Sequence, residues 1–110
     1  MKTNTATTKS LRNMFDPAVD QVITADAQFR PIAPVVAKRG YELDELYRVI
    51  GADIVQIIEV QRIPGALGRK ILVCDEEGIF NGKSINRFAS ALAGTPIVGD
   101  VLYCASKNVK

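Results

Sequence analysis

Residues 53–74 read DIVQIIEVQRIPGALGRKILVC, and this stretch decides the fold. Ile54, Val55, Ile57, Ile58 and Val60 are β-branched, so residues 53–60 are predicted to form a strand. Gln56 and Glu59 alone interrupt the apolar run between Ile54 and Val60. Such a run predicts burial on both faces, and therefore a central position in a sheet. Pro64-Gly65 and Gly68 then turn the chain. Ile71-Leu72-Val73-Cys74 returns as a second strand, so the two runs make a β-hairpin. Asp75-Glu76-Glu77-Gly78 is a tight turn at its end.

Working outward, the clearest helix precedes the hairpin. Leu43, Leu46, Tyr47 and Ile50 recur at the spacing of one helical face, which predicts a helix over residues 42–50. Glu42, Asp44 and Glu45 occupy its first turn, where the helix dipole favours negative charge. Gly51 stops it. Pro31 and Pro34 bracket an extended stretch suited to a sheet edge, and Lys38-Arg39-Gly40 is a turn. After the hairpin, Ile79-Phe80 is a short apolar return and Asn81-Gly82 turns again. Ser84 is expected to cap a second helix, with Ile85, Phe88, Ala89 and Leu92 on its apolar face and Gly94 at its end. Val101 to Ala105 is the last strand. Tyr41, Tyr47, Phe80, Phe88 and Tyr103 all read as core aromatics.

The expected fold is therefore α+β: a small antiparallel or mixed sheet, two packed helices and an N-terminal extension. Residues 1–29 read as a flexible arm carrying one short helix. Asp16-Pro17 has the form of a cap followed by proline, which places that helix at 17–27. Residues 30–106 form the single domain, and 107–110 a loose basic tail. The small apolar stripe of 17–27 needs a cover, which predicts a homodimer or larger closed oligomer.

The 110 residues carry a net charge of +2, with 47% hydrophobic and 24% charged residues. These are globular proportions, and the charge is too small to demand a polyanionic partner. Nucleic acid is not the favoured partner, since exposed aromatics are not interleaved with cations. The chain has no histidine, so a Ser-His-Asp triad, a Cys-His pair and a His-ligated zinc site are excluded. No cofactor or metal motif is present. No apolar run is long enough to span a membrane, and Met1 to Ser10 does not have the pattern of a secretory signal. Two cysteines, Cys74 and Cys104, sit in apolar runs and read as buried reduced thiols of a cytosolic protein.

One segment approaches a catalytic motif. Gly78-Ile79-Phe80-Asn81-Gly82-Lys83-Ser84 opens a helix and looks like a phosphate-binding loop. The glycines are one residue too close for that loop, and the large parallel sheet it needs is missing, so nucleotide hydrolysis is rejected. A helix N-terminus flanked by Lys83 and Arg87 can still hold an anion. Asp75-Glu76-Glu77 lacks calcium-loop spacing and reads as a solvated turn. Arg62, Arg69 and Lys70 cluster around the Pro64–Gly68 turn. With Lys83, Ser84 and Arg87 they would form one basic edge, if that turn and the second helix start sit together.

Pro31-Ile32-Ala33-Pro34, then Tyr41-Glu42-Leu43-Asp44-Glu45-Leu46 with Gly51, then Asp75-Glu76-Glu77-Gly78 form one half of a pattern. Gly82, Asn86, Arg87, Ala89 and Leu92, followed by Pro96-Ile97-Val98-Gly99-Asp100-Val101-Leu102, form the other. In these residues the chain resembles a family of small uncharacterised proteins carried by bacteriophages, plasmids and bacterial genomes. Lys83-Ser84 departs from that family's more usual Leu-Pro. The resemblance implies a mobile-element protein in a bacterial cytoplasm, where proteins of this size act by binding. The expectation is a non-enzymatic protein that sequesters a small anionic, nucleotide-like ligand such as an immune signal. Arg62, Arg69, Lys70, Lys83, Ser84 and Arg87 would hold it. The alternative is an interaction protein that inhibits or regulates a host protein or DNA partner.

Overall fold

A computed structural model describes residues 14–61 and 63–109. Residues 1–13, the first part of the expected arm, lie outside the described part, as do Arg62 and Lys110. The fold is α+β. Strands β1 (Gln21–Ile23), β2 (Phe29–Pro31), β3 (Val55–Glu59), β4 (Lys70–Asp75) and β5 (Val101–Ala105) join in one sheet, with helices α1 (Leu43–Ile50) and α2 (Arg87–Ala93). The strand order is β2-β1-β5-β4-β3, and every pairing is antiparallel. Among the described residues no helix is long and apolar enough to cross a membrane.

Strand alternation divides the core into two layers. Val22, Ile71, Val73, Leu102 and Cys104 face one side and pack with Tyr41, Leu46 and Ile50. Ile23, Leu72, Cys74, Val101 and Tyr103 face the other and pack with Phe29, Ala89 and Ile97. The sheet thus has a helix on each face. Phe15 closes the second layer, with its ring 4.9 Å from Phe88 and 4.8 Å from Tyr103.

α1 forms as the spacing predicts. Glu45 Oε1 accepts from Glu42 N–H (2.7 Å) and Oε2 from Val35 N–H (2.9 Å), and Gly51 ends the helix in the left-handed region. Pro31 lies on an edge strand, β2, but as its last residue; the stretch that follows it to Ala37 is not strand.

Four expectations are corrected. The segment 17–27 is not a helix. Asp16 does take Ala18 N–H on its side chain (3.0 Å), but the turn stops there. Gln21, Val22 and Ile23 are all buried in β1, between β2 and β5. Its apolar residues are therefore covered by the chain's own sheet, and the reason for expecting a partner copy there disappears. β3 is an edge strand rather than a central one, with Ile57 50% exposed. Ile79 and Phe80 stand out from the turn after β4 and are not core.

The C-terminal tail, last, is tied down. Tyr41 N–H donates to Asn108 O (2.7 Å), and Val109 bridges to Tyr41. Gly40 makes this approach possible: its φ is +72°, and a Cβ there would collide with Asn108 O.

Candidate functional site

The five described residues of the expected site do not form one edge. Arg69 and Lys70 stand at the start of β4; Lys83 meets Asp75 at its end. Five strand steps of ~3.3 Å separate the two ends by about 17 Å. The sequence places the two clusters either side of one strand, and an antiparallel neighbour does not fold it back.

At the far end, Lys83 is already engaged. Its Nζ donates to Asp75 Oδ2 (2.8 Å), Ile50 O (3.2 Å) and Gly51 O (2.8 Å). It joins the end of β4 to the C-terminus of α1, where cations suit the helix dipole. Asp75 is buried and also accepts from Glu77 N–H (2.9 Å) and Asn81 Nδ2 (3.2 Å). Burial pushes its carboxyl upward, but Lys83 and these donors hold it below the ordinary value. The acidic turn is therefore solvated only at Glu76 and Glu77. A cavity of about 410 Å³ lies beside Lys83 and Ser84, but Asp100 also lines it. A carboxylate there opposes an anion.

The start of α2 is closed as well. Its cap is Asn86, not Ser84. Asn86 is fully buried; its Oδ1 accepts from Ala89 N–H (2.9 Å), and its Nδ2 donates to Ile23 O (2.9 Å) and Gly99 O (2.8 Å). Ser84 is exposed and offers Gly99 its backbone carbonyl (2.7 Å). Arg87 is exposed on the first turn of α2, in no ion pair among the described residues. The helix start is an internal joint rather than an anion site.

The near end is open. A cavity of about 520 Å³ lies between the β3–β4 turn and the end of β5, lined by Leu67, Gly68, Arg69, Ala105, Ser106 and Lys107. A second, of about 340 Å³, shares Gly68 and Arg69 and adds Gln61 and Lys70. Arg69 pairs with Glu59 at 2.6 Å, with both side chains about seven-tenths exposed, an arrangement worth only ~0–1 kcal/mol. Lys70 is buried, with Nζ 5.9 Å from the Tyr103 ring centroid. Ser106 N–H donates to Arg69 O (2.8 Å) and joins the two walls.

Lys107 is the site residue that the sequence reading missed. It looked like part of a loose tail, and its signal is only a cation two residues beyond a strand. What positions it lies far away in sequence. Asp20 accepts from Ala105 N–H (3.1 Å), Asn108 Nδ2 (2.8 Å) and Tyr41 OH (2.8 Å). These bonds fasten both sides of the short 3-10 turn Ser106–Asn108, in which Lys107 is central.

Cys74 and Cys104 are both buried and unpaired. They lie on adjacent strands but on opposite faces of the sheet. Burial pushes the Cys74 thiol up to about 11 and the Cys104 thiol up to about 12. Neither has the character of a nucleophile.

Comparison of the chain with family models, curated proteins and solved structures finds no match.

Proposed function

We propose that this protein is a non-enzymatic binding protein that holds a small anionic, nucleotide-like ligand in the cavity beside Arg69 and Lys107. The observation that carries the reading is that these two exposed cations, from the β3–β4 hairpin and the C-terminal turn, line one cavity of about 520 Å³. That volume is in the range of small-molecule sites. The Glu59 carboxylate is an exposed and displaceable partner, so a ligand phosphate can take its place on Arg69 with bidentate geometry. Lys70 supports the site by charge from within the sheet. In the mobile-element setting that the resemblance implies, the ligand is a nucleotide signal of host immunity, held rather than converted.

The test is a thermal-shift titration with cyclic and linear nucleotides and with inorganic phosphate. Ligand at 100 times its Kd stabilises by ~2.7 kcal/mol. Arg69→Ala/Lys107→Ala should abolish that shift. Each charge-assisted bond is worth ~1.5–3 kcal/mol, so losing two weakens binding on the order of 100-fold or more. If no nucleotide shifts the wild type, ligand sequestration is wrong. In that event the second reading, an inhibitor or regulator of a host protein or DNA, takes its place. Ile79 and Phe80, 77% and 89% exposed on one turn, favour it.

A further inference from the structure

We infer that β3 is a pairing edge for a second copy of this chain, the two β3 strands running antiparallel about a two-fold axis at Ile57. This goes beyond ligand binding and rests on separate observations.

The edge is open. β3 pairs with β4 on one side, and among the described residues nothing pairs with its other side. Val60 N–H donates inward to Lys70 O, and Ile54 O accepts inward from Glu76 N–H. Alternate residues of an antiparallel strand therefore turn their backbone groups outward: Val55, Ile57 and Glu59. Of the usual devices that keep sheet edges apart, the edge carries only one charge, Glu59 at its last residue. Between Val55 and Ile58 there is no charge and no proline, and the register to β4 is continuous without a bulge. Ile54 and Ile57 are about half exposed along it.

The edge is complementary to itself. With Ile57 opposite Ile57 of the second copy, Val55 falls opposite Glu59 in both directions. All three outward residues then exchange backbone hydrogen bonds with the other strand. The centre carries no charge, so the axis brings no like charges together. The ends carry opposite charges. Asp53, Glu76 and Glu77 are exposed at the end where β3 starts. At the end where it stops, exposed Arg69 and the buried Lys70 beside it outweigh the one carboxylate there, Glu59, with which Arg69 pairs. An antiparallel pairing sets Asp53 opposite Gln61 of the second copy, with that copy's Arg69 on the next strand. Each acidic end meets a basic end, whereas a parallel pairing would set like against like. The product is a single antiparallel sheet running through both copies, and such isologous contacts close at two subunits.

The test is a sedimentation series over protein concentration and salt, alongside amide hydrogen exchange. Wild type should dimerise, less tightly as salt rises, with the Val55, Ile57 and Glu59 amides protected only in concentrated samples. Ile57→Pro removes an outward donor without touching the β4 ladder, and Ile57→Lys opposes two cations across the axis. Both should be monomeric, with circular dichroism and nucleotide shift unchanged. If Ile57→Pro does not fold, Ile57→Lys and the wild-type exchange pattern decide. A wild type that stays monomeric up to its solubility limit overturns the inference. So does a dimer that survives both variants, or one whose three amides exchange equally fast at all concentrations. A failed nucleotide shift with intact dimerisation would overturn only the ligand reading.

Discussion

Replacing Lys83 by methionine should cost far more than a surface substitution. Methionine keeps most of the aliphatic stem, which packs so close to Gly99 that a Cβ there would lie 2.7 Å from Lys83 Cδ. It removes only the ammonium. The Asp75 side chain, 1% exposed, then loses its counter-charge, and the carbonyls of Ile50 and Gly51 lose a donor. Breaking a fully buried pair costs ~3–5 kcal/mol. Lys83 is 21% exposed, and Asp75 keeps the Glu77 and Asn81 donors, so the expected loss is about 2–3 kcal/mol. For a domain of this size that lowers Tm by roughly 10–20 °C. Urea unfolding of wild type, Lys83→Met, Asp75→Asn and the double variant measures it. The double variant should recover at least ~1 kcal/mol relative to the sum of the singles. The pH dependence has a definite sign. The folded Asp75 carboxyl lies below its ordinary 3.8, so its contribution is present above about 4 and is lost as pH falls through the lower folded value. Lys83→Met should flatten that acid limb. A loss under ~0.5 kcal/mol, or strict additivity with Asp75→Asn, would refute the reasoning.

Two further outcomes follow from buried groups. Asn86→Ala removes a helix cap (~1 kcal/mol) and takes a side-chain donor from buried Gly99 O and from Ile23 O, the latter keeping its ladder pairing with Val101, so about 2 kcal/mol should be lost in urea unfolding with an unchanged slope; a loss below ~0.5 kcal/mol would contradict the role of Asn86 as the joint. Titrating thiols should give two free groups in denaturant without reductant, and almost none in the native protein at pH 8, because burial raises Cys74 to about 11 and Cys104 to about 12; fast native modification of either would contradict its place in the core.

The elements readable from sequence were those whose signals are local. Leu46, Tyr47 and Ile50 set the packed face of α1, while Leu43, expected on it, is 55% exposed, and Gly51 stopped the helix. The β3–β4 hairpin was legible because both strands and their turn lie within one stretch. β1 was not: it is only three residues long and is buried between nearby β2 and β5, some eighty residues on, while Asp16-Pro17 gives a true but very short turn signal. Ser84 and Asn86 are both good caps by type. The choice falls on Asn86 because it alone also satisfies Ile23 O and Gly99 O, and those carbonyls arrive from other elements. The apolar run of β3 suggested a central strand, yet only the order of the sheet decides which strand is last.

The same distinction explains the candidate site. Arg69 was legible as a cation beside a turn, but charge along the chain says nothing about which cations are spent on the fold. Lys83, the sharpest feature of the sequence, is spent: a buried carboxylate and two helix-end carbonyls surround it. Lys107, the least remarkable, is held at the cavity by Asp20 through bonds spanning 85 and 88 residues. Asp20 lies in the segment that read as an arm. The cavity is thus walled by a hairpin that folds locally and a C-terminal turn that depends on the N-terminal strand. That wall is in place only once β1 has docked against β5, so anion binding, where it occurs, reports on the completed sheet rather than on the hairpin alone.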